Sequence, residues 1–168
     1  LAEAYRRQQG CDFISAMPTN LYGPNDNFDL KSSHVLPALL RKIHDAKTQG
    51  IASVEIWGSG TPRREFLHVD DLAEASLHIV EHYSDTLHLN VGTGVDVTIR
   101  QLAEQIAEVV GYEGRFVFDP TKPDGTPRKC TDVSRLTALG WRPRFDLRAG
   151  IEMTYRWFLS QSEMLERA

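Results

Sequence analysis

The chain is 168 residues long, with 41% hydrophobic and 25% charged residues, an ordinary globular composition that allows about one domain with a sizeable core. Its net charge of -4, pI near 5.9 and scattered basic residues argue against nucleic acid or an anionic membrane surface as the main partner. Only Cys11 and Cys130 are present, too few for a disulfide scaffold; no apolar run reaches membrane length and no signal peptide is seen, so a reducing cytoplasm is the expected compartment.

Residues 1–9 read as the last turns of a helix ended by Gly10, so the chain is expected to begin inside an element and to be a C-terminal fragment. The apolar run at 12–17, with Phe13, Ile14, Ala16 and Met17, predicts a short buried strand that stops at Pro18. Residues 18–33 carry Gly23, Pro24 and several Asn and Asp, turn chemistry at the C-terminal end of a strand, where open α/β sheets bind ligands. Leu36, Leu39, Leu40 and Ile43 predict an amphipathic helix over 35–47, with Pro37 tolerable in its first turn.

A strand over 53–57 closes through Gly58, Ser59 and Gly60, and an extended piece over 64–69 leads to a helix. Asp71 and Glu74 match a capping box at that helix's start, with Leu72, Ala75, Ile79 and Tyr83 as its buried stripe. Residues 87–91 predict a strand that turns through Gly92 and Gly94 into a helix over 99–110, boxed by Thr98 and Gln101 and ended by Gly111. Residues 116–118 extend again, Asp132 can cap a short helix ended by Gly140, and a last amphipathic helix over 147–161 places Ile151, Tyr155 and Phe158 in register. The alternation is α/β, but the segments are short and broken by Pro and Gly, which predicts sheet-edge pieces plus a small α/β lobe rather than one regular doubly wound sheet.

Some local patterns imitate other chemistry. His78, Glu81 and His82 satisfy H-x-x-E-H, yet lie away from the buried stripe with no third ligand apparent, so a solvated helix face is the better reading and no metal is expected. Gly92 and Gly94 follow a strand as in G-x-G-x-x-G, but the third position is Val97. No tyrosine has Lys four residues on, the pair short-chain dehydrogenases use for proton transfer.

Four stretches carry a resemblance: MPTNLYGPNDNF at 17–28, SHVLPALLRKIH at 33–44, WGSGTPRREFLHVDD at 57–71 and KPDGTPRK at 122–129. Together they resemble the GDP-L-fucose synthase family of extended short-chain dehydrogenase/reductases, over nearly the whole chain. The Tyr-Gly-Pro and Arg-Glu-Phe-x-His-Val-Asp-Asp parts are shared widely among nucleotide-sugar epimerases and dehydratases; the other two stretches are narrower signals. The resemblance implies the conversion of GDP-4-keto-6-deoxy-D-mannose to GDP-L-fucose, by epimerisation at C3 and C5 and reduction at C4 with hydride from NADPH. It implies that the glycine loop, the catalytic Ser, Tyr and Lys and a reactive Cys fall before Leu1. Residues 1–30 are then a remnant of the Rossmann domain and 31–168 mainly a GDP-sugar lobe, with 64–83 packing back on the Rossmann part.

By the same resemblance, Pro18, Thr19, Asn20 and Leu21 lie against the nicotinamide end of the cofactor, with Asn20 also near the sugar. His34 matches the epimerisation acid and a cofactor contact, and an imidazole suits that task because its pKa lies near working pH. Lys42, Trp57, Arg64, Asp124 and Lys129 match positions that hold the GDP part. A guanidinium gives charged, paired donors to phosphate oxygens, so Arg64 is the expected pyrophosphate contact. Taken without the resemblance, each residue has a plainer reading: Asn20 a turn cap, His34 a helix start, Trp57 core, Arg64 a salt bridge to Glu65 or Asp70, and Asp124 the opening of the Asp124-Gly125 turn. Ser32 stands where the family has Asn, and Cys11 does not align with the reactive Cys and reads as a small buried packing residue.

The leading expectation is thus an enzyme part that does not by itself catalyse the reduction. The alternatives are a sister epimerase or dehydratase taking UDP or dTDP sugars, and a stand-alone non-catalytic nucleotide-sugar or protein binding domain. The whole protein is expected to be a homodimer, and the isolated chain to associate with itself through unpaired strand edges.

Overall fold

The computed structural model describes residues 1–166, with side chains through residue 161. Helix α1 (Ala2–Gln9) buries none of its residues and ends where Gly10, at φ 66°, donates its N–H to the Arg6 carbonyl. Strands β1 (Ala16–Pro18) and β2 (Asn20–Tyr22) follow. The buried strand expected over 12–17 is corrected: β1 is three residues long, fully exposed and includes Pro18. Among the described residues it pairs only with β5 (Leu89–Val91), in parallel, so it is an edge where a missing N–H is tolerated. Cys11 is half-buried rather than packed away.

Helix α2 (Val35–Thr48) buries Leu36, Leu39, Leu40, Ile43 and Ala46, the stripe that their spacing predicts, and holds Pro37 in the first turn, where backbone N–H groups have no intrahelical partner. Strand β3 (Ser53–Trp57) pairs in parallel with β7 (Arg115–Asp119). The organising strand is β4 (Arg63–His68). Its C-terminal half pairs with β2 in parallel, while its N-terminal half lies between β6 (Asp96–Thr98), antiparallel, and β8 (Arg128–Lys129), parallel. Neither β6 nor β8 is visible in the sequence, because two or three residues cannot display a period-two pattern; both form on edges that β4 offers.

Helix α3 (Val69–His82) starts earlier than a box at Asp71 would require. His68 is the N-cap, its Nδ1 accepting from the Asp70 N–H at 3.3 Å. Asp71 is instead fully buried and accepts from the N–H groups of Arg144 and Phe145 at 3.1 and 3.2 Å, while Glu74 pairs with Arg144 at 3.1 Å. These carboxylates therefore hold the approach to the last helix, a job that no local pattern announces. Tyr83 falls just past the helix end. Helix α4 (Ile99–Val110) carries both halves of the Thr98–Gln101 box and ends at Gly111, φ 75°, as expected. The short α5 (Ser134–Ala138) is N-capped by Val133, with Asp132 one residue further out accepting from the Ser134 N–H at 2.9 Å. Helix α6 (Leu147–Glu166) runs beyond the expected 161.

Two cores result, and β4 separates them because its successive side chains point to opposite faces. Phe66 joins α2, α4, α6 and the β3–β7 pair in the larger core. Leu67 joins Ala75 and Ile79 of α3, Leu89 and Val91 of β5, Leu136 and Trp141 in the smaller one. The result is an α/β fold of small sheets organised around one strand, not a regular doubly wound sheet.

Candidate functional site

Two concavities flank the start of α2. The larger, of about 620 Å³, is bounded by the first turns of α2, the end of β3, Arg64 of β4 and the loop after β7. It gathers Lys42, Trp57, Arg64 and Asp124, four residues that lie far apart in the sequence. Val35, Leu39, Ile56 and Ile99 give it an apolar floor, and Lys31, Lys42 and Arg64 set three cations against the carboxylate of Asp124.

Charge pairing decides which cations are available. Arg63 and Arg128, neighbours across the β4–β8 ladder, both bind Asp96, the Arg63 Nε at 2.7 Å. Hydrogen bonds from Arg128 and then Arg63 hold the Asp96 carboxyl below the usual carboxylate pKa. Arg64 and Lys129 form the next rung of that ladder and have no carboxylate partner among the described residues; the Arg64 Nη1 donates only to the Arg63 carbonyl, at 2.7 Å. The salt bridge of Arg64 to Glu65 or Asp70 does not form, because Glu65 is buried and bonded elsewhere and Asp70 faces His68 at 3.7 Å.

Trp57 is 64% exposed, not core, and the Nζ atoms of Lys42 and Lys122 stand 5.5 and 5.6 Å from its ring centroid. At such distances the two ammonium groups are attracted to the quadrupole of the exposed indole. Asp124 accepts from the N–H and Oγ of Ser59 at 2.7 and 2.8 Å, which latches its loop to the turn after Trp57. Gly58 permits this: at φ 82°, a Cβ there would lie 2.3 Å from the Asp124 Oδ1.

The smaller concavity, about 450 Å³, is lined by Thr19, Asn20, Leu21 and His34, with Gly23 and Val69. The Glu65 carbonyl of β4 accepts from the Asn20 Nδ2 at 2.7 Å and the Thr19 Oγ1 at 3.4 Å, so the central strand aims both side chains. His34 is the N-cap of α2, is exposed, and its ring makes no hydrogen bond among the described residues. Its neighbour Ser33 lines the larger cavity, where its Oγ is buried without a partner. One helix start therefore walls both concavities.

The expected residues do not all converge. Pro18 sits in β1, outside the wall formed by Thr19 to Leu21, and Lys129 stands beside Arg64 without lining the larger cavity. Ser32 is engaged in the 27–32 turn, donating to Asp29 at 2.9 Å and accepting from Asn27 at 3.0 Å. His78 uses its Nε2 on the Leu139 carbonyl at 2.9 Å and stacks on His82, a packing role. Sequence reasoning gave no site role to Lys31, Ser33, Lys122 or Glu65; the signal for the last is an acidic residue followed by Phe66 and Leu67 in the buried half of a strand.

His68, fully buried behind this wall between the rings of Tyr22 and Phe145, makes stability pH-dependent. Burial lowers its pKa, against smaller opposing effects of Asp70 and Asp71, and burial also lowers that of His44. The unfolded chain then binds more protons, so stability is full above the unfolded value of 6.5 and falls as pH drops below it. The stability that lowered carboxylates such as Asp96 contribute is present above 3.8 and is lost only as pH falls below it, outside this window. Urea midpoints measured from pH 7.5 to pH 5 are expected to fall, and less so in His68→Gln; a flat profile would contradict the burial argument.

A model of the NAD dependent epimerase/dehydratase family matches residues 1–92. The chain is 56% identical to the GDP-L-fucose synthase of Escherichia coli K12, over 97% of its own length and 54% of that protein's, and 58% identical to GDP-L-fucose synthase 1 of Arabidopsis thaliana, over 94% and 49%. Its structure is similar to a GDP-L-fucose synthetase from Naegleria fowleri bound to NADP, with TM-score 0.87 and 31% identity over 96% of this chain and 51% of that one. The chain spans about half the length of the curated relatives it matches. No helix of the described residues is long and apolar enough to cross a membrane. The uncompensated Arg64 and Lys129, the exposed Trp57 and the polar wall at Thr19 to Leu21 thus lie in a chain that belongs to the NAD dependent epimerase/dehydratase family.

Proposed function

We propose that this chain is the substrate side of an NADPH-dependent enzyme that converts GDP-4-keto-6-deoxy-D-mannose to GDP-L-fucose. The observation that carries the reading is the larger cavity, which sets an exposed indole, an apolar floor and unneutralised cations around one space. That combination suits a planar base followed by a diphosphate. In this reading Trp57 meets the base, Arg64, Lys42 and Lys129 meet the phosphates, and Asp124, with its loop latched by Ser59, accepts from the nucleoside. Asn20 and His34 reach the sugar from the smaller cavity, His34 as the acid that protonates the epimerised carbon.

The lining of the smaller cavity, which holds no Lys or Arg and Asp26 as its one carboxylate, fits the neutral nicotinamide end of NADPH rather than the cofactor's phosphates. When bound, NADPH supplies the hydride for C4. We assign Thr19, Asn20, Leu21 and His34 to that end, with Pro18 setting the wall's start. Residues 1–30 then belong with the nucleotide-binding half and 31–168 mainly with the substrate lobe, 64–83 bridging them as β4 pairs with β2. The chain alone is expected to bind but not reduce. A cytoplasmic, homodimeric whole protein, and self-association of the isolated chain, complete the proposal.

Equilibrium dialysis of the chain against GDP, UDP and dTDP tests it. Preferential binding of GDP is expected. Equal or stronger retention of UDP or dTDP would point to a sister epimerase or dehydratase, and no retention of any would overturn the reading.

A further inference from the structure

Glu65 is fully buried in the middle of β4, and donors from two separate segments converge on its carboxylate. Oε1 accepts the N–H groups of Thr93 at 2.6 Å and Gly94 at 2.7 Å; Oε2 accepts the N–H and the Oγ of Thr131, each at 2.7 Å. The approach is so close that a Cβ on Gly92 would come within 2.2 Å of Oε1 and 2.5 Å of the Thr131 Oγ. The same residue's carbonyl holds Asn20 and Thr19, and its chain neighbour is Arg64.

Burying a carboxylate is costly, and an apolar side chain would fill a buried strand position more cheaply. What an apolar side chain could not do is fix the arm at 128–131. That arm carries Lys129, which pairs with β4 through only two residues, Arg128 and Lys129. Its far end is held by the two bonds from Thr131 to Glu65.

We propose that Glu65 is a positioning residue for anion binding: it clamps the 128–131 arm so that Lys129 stands on the rung beside Arg64 and the two cations meet one diphosphate together. This rests on the reading of the larger cavity as a nucleoside-diphosphate site. A glutamine at 65 keeps the shape but must turn an NH2 group toward N–H donors on one side, which releases either the 93–94 turn or the arm.

A double-mutant cycle with GDP as ligand tests the clamp. Glu65→Gln and Lys129→Ala are each expected to weaken GDP binding about 10-fold, and the double variant by no more than about 10-fold, because the clamp acts through Lys129. Independent, multiplying losses of about 100-fold would overturn the proposal and leave a general structural role, as would an unchanged affinity in Glu65→Gln. Should Glu65→Gln fail to fold, Thr131→Val, which removes one donor and keeps the backbone bond, carries the same cycle with a loss of about 3-fold. GDP bound by the unaltered chain with multiplying losses overturns the clamp alone. No GDP binding by the unaltered chain overturns the site reading as well.

Discussion

Arg64→Ala is expected to weaken GDP binding by about 50-fold, whereas Arg63→Ala, one residue away on the same strand, leaves it within about 3-fold. The contrast follows from how β4 distributes its arginines. Arg63 is spent on Asp96, together with Arg128, and its loss leaves Arg128 still paired. Arg64 faces the larger cavity with no carboxylate to answer it, so its charge is available to a ligand anion. A charge-assisted, paired hydrogen bond to phosphate contributes roughly 1.5–3 kcal/mol, which corresponds to about 10- to 150-fold in affinity. The binding loss in Arg64→Ala should also shrink at high salt, since the attraction removed is partly screened there. Titration calorimetry on the two variants at low and high salt decides the matter: equal losses would mean that the position on the ladder does not select the phosphate contact, and a negligible loss in Arg64→Ala would remove the carrying feature of the site.

What could be read from the sequence was local or carried by motif. The Thr98–Gln101 box, the Gly111 stop and the leucine stripe of α2 depend on residues within a few positions of one another, and each occurs as spacing predicts. The gathering of Lys42, Trp57, Arg64 and Asp124 was implied by resemblance, since no spacing rule links residues from four segments. The misreadings share a cause, which is that tertiary partners override local pattern. Asp71 looks like a helix cap because it precedes Glu74 by three, yet its carboxylate is used by backbone N–H groups more than seventy positions later. The run at 12–17 looks buried because it is apolar, yet exposure is decided by what covers it, and among the described residues β1 has a single strand beside it. Glu65 was the least legible: in the strand Arg-Arg-Glu-Phe-Leu-His it reads as one more charged residue, and its donors at 93–94 and 131 could be found only in three dimensions.

The largest loss of stability is expected from Ile106→Ala. Ile106 is fully buried on α4, in the core that joins that helix to α2 on one side and α6 on the other. Removing three carbons there forfeits their transfer free energy and leaves a cavity that two packed helices cannot easily close, so about 2–5 kcal/mol is expected. Against a domain stability of roughly 5–15 kcal/mol, that is enough to populate the unfolded chain measurably at 37 °C. Val80→Ala on the outer face of α3, where the side chain is 74% exposed, should cost less than about 0.5 kcal/mol. The site lies within reach of this core, because α2 brings Lys42 and Ser33 to the larger cavity while Ile99, the first residue of α4, forms part of its floor. Tight binding of GDP should therefore recover part of the lost stability in Ile106→Ala, as mass action on the folded state requires. Urea titrations with and without GDP measure both effects. A cost below about 1 kcal/mol would mean that α4 is not the keystone between α2 and α6, and no gain in the variant's stability at saturating GDP would mean that the folded variant does not bind GDP.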